Sequence, residues 1–213
     1  RKIMSGLFIT LEGTDGSGKT TQINRLKEYF SERGYRVVCT REPGGTPIGE
    51  KIREIIIDKN NSEMANITEA LLYAAARAQL VNEVIEPVLK DGGVVISDRF
   101  LDSSLVYQGF ARGMGENFIK NINRAGVNSL EPDITFLLKL KPEDSIARKS
   151  KQAELDRLEA EKANFHQRVF DGYISLARRN KERIKIIDAL KTEEDIHSEI
   201  LNHIEGFMKK RGF

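Results

Sequence analysis

A three-layer α/β/α fold around a five-stranded parallel sheet is predicted by two features of this 213-residue sequence. Short apolar runs alternate with longer stretches of helical periodicity, and the runs are continuously apolar rather than alternating with polar residues. Continuous apolarity suits strands covered on both faces, and strands that alternate with helices build a parallel sheet wrapped by helices.

The first strand is expected over Leu7 to Leu11 (LFITL), followed by the glycine-rich segment GTDGSGKT and a helix from Thr21 to Glu32 that Gly34 stops. The second strand, Arg36 to Thr40, contains Cys39, read as a small buried hydrophobe. A single cysteine excludes an intramolecular disulfide and suits a reducing cytosol. Ile67 to Lys90 reads as one long helix, started by an Asn variant of the capping box (Asn66 and Glu69), kinked at Pro87 and ended by Asp91-Gly92-Gly93. The remaining strands are Val94 to Ser97, Ile134 to Leu140 and Ile184 to Ile187.

Glu143 to Lys162 is almost entirely charged, which fits either a solvated helix pair or a lid that closes over a ligand. No repeat, low-complexity tract or linker divides the sequence, so one domain is expected over residues 1–213, with the charged stretch at about 143–162 as an appendage. Charged residues make up 31% and nearly balance, with a net charge of +2, which argues against a surface that coats nucleic acid and leaves anionic ligands to local clusters. No apolar run approaches the roughly 20 residues of a membrane span, and RKIM lacks the apolar core of a signal peptide. A cytoplasmic protein without membrane or nucleic-acid partners is expected.

GTDGSGKT, from Gly13 to Thr20, fits GxxxxGK[ST] and lies between a strand and a helix, the context that the P-loop requires. Gly13, Thr14, Asp15, Gly16, Ser17 and Gly18 turn the backbone so that its N–H groups converge on phosphates, and Lys19, Thr20 and Thr21 open the helix whose dipole favours them. Lys19 is placed to reach the β- and γ-phosphates of ATP, and Thr20 to coordinate Mg²⁺. Asp98 closes an apolar strand like a magnesium-holding aspartate, although an acid there also suits a helix cap. His166, His197 and His203 lack metal-ligand spacing. A P-loop alone serves GTPases, motor ATPases, kinases and nucleotide switches; the guanine-reading NKxD motif is missing.

Three further segments, TREPGGTPIGEKIR (Thr40 to Arg53), LLYAAARAQL (Leu71 to Leu80) and DRFLDSSLVYQG (Asp98 to Gly109), narrow the choice. Together with the P-loop they resemble the thymidylate kinase family over about Leu7 to Leu190. The resemblance implies a P-loop NTPase fold with a helical lid, a homodimer, and ATP-dependent phosphorylation of dTMP to dTDP by direct in-line transfer. It assigns Asp15 to the sugar-phosphate region of dTMP, where an Asx turn is the plainer reading. It gives the acceptor phosphate to Arg53 and Arg99, which as exposed side chains would otherwise form salt bridges. Tyr73 and Arg77, four apart and so on one helix face, match the pair that stacks on thymine and donates to a base carbonyl; an ordinary surface pair is the alternative. Tyr73 stands where the family more often has phenylalanine.

Ser103, Ser104, Tyr107 and Gln108 match the lining of the deoxyribose and base, with Tyr107 crowding out a ribose 2′-hydroxyl. Pro43 matches a wall of the base pocket, or simply stiffens a turn. ARKSKQAELDRLE resembles the basic lid of the bacterial subtype, whose P-loop carries no arginine. Arg148 is the first candidate for the lid cation, and Lys149, Lys151 and Arg157 are weaker ones. Ile186 to Leu190 matches the loop that meets adenine. Lys139 departs from the aspartate common in the family.

Overall fold

The computed structural model describes residues 6–148 and 156–212. Five strands lie parallel in the order β2-β3-β1-β4-β5: β1 Leu7–Glu12, β2 Val37–Arg41, β3 Val94–Asp98, β4 Ile134–Lys139 and β5 Ile184–Asp188. Each runs to within a residue or two of its expected span. The helices are α1 Lys19–Glu32, α2 Pro47–Ile57, α3 Asn66–Leu80, α4 Glu86–Lys90, α5 Leu101–Ser104, α6 Glu116–Val127, α7 Pro142–Arg148, α8 Ala163–Arg179 and α9 Glu193–Arg211.

Side chains alternate across a strand, so β1 feeds both layers. Leu7, Ile9 and Leu11 join Leu26 and Phe30 of α1 and Ile200 and Ile204 of α9 in one core. Phe8 packs on the opposite side with Leu80, Ile85 and Phe100. Thr10 lies on the face of Phe8 and bonds Thr135 Oγ1 at 2.7 Å. The same alternation turns Glu12 toward that second layer, where it is buried.

Three local expectations are corrected. Cys39 is exposed: β2 is an edge strand, and the helical layer that covers β1 and β3 thins out beyond them. Asn66 and Glu69 do not form a capping box. Ala65 is the cap of α3, with no side-chain hydrogen bond, and Glu69 turns inward at 1% exposure. The long helix is not one continuous α-helix: just before Pro87 it widens into a π-type segment over Val81–Ile85 and resumes as α4. Proline has no N–H to return to the preceding turn, so the irregularity falls on its N-terminal side. At the far end of the sheet, Lys139 stands in register with Asp188 of β5.

Candidate active site

β1 and β3 are neighbours with Leu11 opposite Asp98, so the loops that follow them open at the same end of the sheet. This is the end where open α/β sheets bind ligands. Gly13 takes φ 135°, and a Cβ there would sit 2.6 Å from Leu138 O, so only glycine permits the loop to pass that close to β4. Two hydroxyls tie the loop to its surroundings: Ser145 Oγ on α7 donates to Asp15 O at 2.6 Å, and Thr14 Oγ1 reaches Leu140 O at 3.5 Å.

Lys19 folds back under the loop and donates from Nζ to the carbonyls of Gly13 and Thr14, both at 3.3 Å. Its Nζ is 3.8 Å from Asp15 and 3.9 Å from Asp98. Burial, then the Arg99 charge, lower the pKa of this ammonium, so an incoming polyphosphate would relieve a cation held at a cost. Asp98 Oδ1 and Ser17 Oγ are both buried with no hydrogen-bond partner. An orphaned carboxylate oxygen beside a phosphate loop is what a hard cation with oxygen ligands would satisfy. Thr20 is exposed at the start of α1.

Beside the loop lies a cavity of about 700 Å³. All ten residues singled out above for the acceptor line it: Asp15, Pro43, Arg53, Tyr73, Arg77, Arg99, Ser103, Ser104, Tyr107 and Gln108. They come from the loops that follow β1, β2 and β3 and from the helical segments beyond those loops, and the fold rather than chain proximity gathers them.

Arg99 follows β3 with φ 70°, a backbone state that a side-chain-bearing residue rarely takes. Its N–H bonds Leu11 O at 2.9 Å, and its carbonyl accepts from Ser97 Oγ at 2.7 Å, which holds the strained backbone. The guanidinium donates to Asp15 Oδ1 at 3.0 Å, Tyr173 OH at 3.1 Å and Ser103 Oγ at 3.3 Å. It also lies 5.5 Å from the Tyr107 ring centre. Burial drives the Tyr107 phenol up to about 12, so it stays neutral.

Arg77 is the largest fully buried side chain among the described residues. Its Nε donates to both Glu42 oxygens at 3.0 and 2.9 Å, and Nη2 also bonds Glu42. Nη1 donates to Asn123 Oδ1 at 2.7 Å, and Nη2 to Ser104 Oγ and Phe100 O at 3.0 and 3.2 Å. A guanidinium has five N–H groups, so this grip leaves one N–H of Nη1 without an acceptor among the described residues, and Arg77 lines the cavity. Arg53 Nη1 donates to Pro43 O at 3.1 Å, linking α2 to the loop after β2.

The model of the thymidylate kinase family matches residues 11–200. The chain belongs to the thymidylate kinase family. Thymidylate kinase of Bacillus velezensis is 46% identical over 209 residues, covering 97% of this chain and 99% of its own, and that of a Thermoanaerobacter species is 44% identical over 205 residues, covering 96% and 100%. The crystal structure of thymidylate kinase from Ehrlichia chaffeensis superposes with a TM-score of 0.75 at 34% identity, covering 93% of this chain and 98% of that one. This thymidylate kinase family member is therefore a nucleoside monophosphate kinase that phosphorylates dTMP to dTDP with ATP.

Two buried acids that build the site of this kinase are not apparent from the sequence. Glu12 accepts from Phe100 N at 2.9 Å, Ser103 Oγ at 2.6 Å and Tyr173 OH at 2.9 Å, so it fixes the partners that hold Arg99. Burial, then the Asp102 charge, push its carboxyl up to about 7. Glu42, the partner of Arg77, stands inside REPGG, where the sequence alone suggests no role for it. The alternation of Phe8, Thr10 and Glu12 on one strand face is the signal that could have pointed to an inward-facing acid.

The charged stretch divides. Arg148 is exposed and donates from Nη2 to Ala189 O at 3.0 Å, joining α7 to the loop after β5. Arg157 points elsewhere: it bonds Glu69 Oε2 at 2.6 Å and Ile56 O at 2.8 Å, across α2 and α3. Lys149 and Lys151 lie outside the described residues. Asp156, Glu159 and Glu161 reach the cavity from the far end of the stretch.

Proposed function

We propose that the chain holds ATP along the P-loop and dTMP in the cavity beside it, and transfers the γ-phosphoryl directly between them. The observation that carries this division is the Asp15–Arg99 contact at 3.0 Å, where the phosphate loop and the acceptor cavity meet. The backbone of Gly13 to Thr21 cradles the ATP phosphates and Lys19 spans the β- and γ-groups. Thr20 and Asp98 are the residues suited to hold Mg²⁺, which would supply charge neutralisation at the phosphates.

Arg99 and Arg53 hold the dTMP phosphate, since a planar guanidinium offers paired donors to its oxygens. Asp15 takes the sugar hydroxyl. Tyr73 stacks on the base and the spare Arg77 N–H reaches its 4-carbonyl, while Gln108 meets the neighbouring N3–H and Pro43 closes the pocket wall. Ser103, Ser104 and Tyr107 line the sugar, and Tyr107 leaves no room for a 2′-hydroxyl. A phosphate oxygen of dTMP is already anionic, so attack on the γ-phosphorus needs positioning and charge neutralisation rather than a strong base. The stretch 143–162 acts as the lid of a single domain, the loop Ile186 to Leu190 meets adenine, and Arg148 supplies the lid cation.

A homodimer fits the exposed apolar side chains of α2 and α3, Ile48, Ile55, Ile67 and Leu71, each at least 41% exposed; sedimentation velocity decides between one-chain and two-chain mass. Among the described residues no helix is long and apolar enough to cross a membrane. A cytoplasmic location suits a chain with one cysteine.

Steady-state assays with ATP, with and without Mg²⁺, against dTMP, dUMP, dCMP, AMP and thymidine are expected to give the highest kcat/KM for dTMP and little turnover without the ion. Faster conversion of thymidine or AMP would overturn the acceptor assignment. Arg148→Ala is expected to lower kcat by on the order of 10²-fold or more with little change in the KM for dTMP. Undiminished kcat would move the lid cation elsewhere.

A further inference from the structure

Glu69 stands out among the groups that the reaction does not use. It is an acid on the first turn of α3, 1% exposed, and its carboxylate receives three side chains. Oε1 accepts from Gln108 Nε2 at 2.9 Å and from Arg112 Nε at 3.4 Å. Oε2 accepts from Arg112 Nη2 at 3.3 Å and from Arg157 Nη2 at 2.6 Å. Burial alone would raise its pKa, yet Gln108 and the two guanidiniums outweigh burial and hold it below the ordinary value. Glu69 is therefore an anion that can only accept.

An amide side chain has two chemically opposite ends, and its orientation follows from its partners. Facing an anion at 2.9 Å, Gln108 must turn its NH₂ toward Glu69, because the other orientation would set two acceptors against each other. Gln108 lines the cavity, and its carbonyl oxygen accepts no hydrogen bond among the described residues. The carbonyl is thus the end kept for a ligand. Arg77 lines the same cavity and keeps one N–H of Nη1 as a donor. A donor and an acceptor in one cavity match the O4 and N3–H edge of thymine or uracil. They oppose both groups of cytosine, whose 4-amino group donates and whose N3 accepts.

We infer that Glu69 is a specificity-positioning residue: by fixing the polarity of the Gln108 amide it makes the cavity accept pyrimidines with an N3–H and reject cytosine. This rests on the proposed contact between Gln108 and the base. Rejection by a mismatched buried polar pair is the usual source of strong discrimination between bases of equal size.

Glu69→Gln gives the sharpest test. The two guanidiniums keep demanding an acceptor where Oε2 stood, so the new NH₂ takes the place of Oε1 and faces Gln108. Gln108 must then flip and present its own NH₂ to the cavity. The expected result is a fall in kcat/KM for dTMP and a rise for dCMP, shifting their ratio by on the order of tenfold to hundredfold. Arg157→Ala loosens the same carboxylate without changing what faces Gln108; it is expected to lower both substrates alike and leave the ratio in place. If Glu69→Gln also moves the two substrates alike, Glu69 is merely structural and the inference falls. Gln108→Ala separates the base contact from its orientation. A ratio unchanged in that variant removes the base contact itself, whereas a ratio that changes there but not in Glu69→Gln overturns only the orienting role. Should Glu69→Gln fail to fold, neutron diffraction from the wild-type protein settles the amide orientation, and deuterium on the atom facing away from Glu69 overturns the inference.

Discussion

Arg99→Ala is expected to reduce kcat/KM for dTMP by on the order of 10³, the scale seen when a preorganised donor to a transferring group is lost. ATP affinity should change little. The cause is geometric. Arg99 is held at φ 70° at the end of β3, and Asp15, Ser103 and Tyr173 fix its guanidinium at the mouth of the cavity. Lysine would not replace it, because a point charge cannot give two parallel bonds to a phosphate. Isothermal titration with dTMP and, separately, with a non-hydrolysable ATP analogue checks this. An unchanged dissociation constant for dTMP would argue against a phosphate-holding role.

Arg77→Met is expected to cost about 3–5 kcal/mol of folding stability in addition to dTMP affinity, because it strands the Glu42 carboxylate, 3% exposed, without its partner. For a chain of this size that corresponds to a fall in Tm of roughly 10 °C. The double variant Glu42→Gln with Arg77→Met removes the stranded charge and should recover part of the loss while leaving dTMP binding weak. Thermal unfolding of the three proteins checks the order, and a double variant less stable than Arg77→Met would exclude the stranded charge as the cause.

Legibility in the sequence depends on how far apart the partners lie along the chain. The P-loop is contiguous, and the spacing of Tyr73 and Arg77 places both on one helix face, so their convergence on one cavity can be anticipated. β1, β3 and β4 are the most legible strands, because a short and almost continuously apolar run must be covered on both faces, which an interior strand of a helix-wrapped sheet provides. The alternation along β1 can mark Glu12 as inward-facing, but its role is not legible, since its hydrogen-bond partners lie 88 to 161 residues away. Glu69 misleads for a related reason. Asn-x-x-Glu suits a helix cap equally well, and only the approach of Gln108, Arg112 and Arg157 decides that the carboxylate turns inward. Cys39 misleads because apolar neighbours in a run do not reveal whether its strand sits at the sheet's edge.

The strand order also partitions the chain. With β2 and β3 on one side of β1 and β4 and β5 on the other, the ten cavity residues proposed to hold the acceptor all precede Arg112. The Arg148–Ala189 contact belongs to the half that follows β4. Homologous recombination with a crossover in α6 would therefore carry the phosphate loop and the acceptor cavity together from one parent, and take the charged stretch and the loop after β5 from the other. Ion pairs that cross the seam limit that freedom, among them Arg157 with Glu69, Arg112 with Glu161, Arg183 with Asp102 and Arg25 with Glu194, and parental sequences that differ at any of them would yield hybrids with an unmatched charge there.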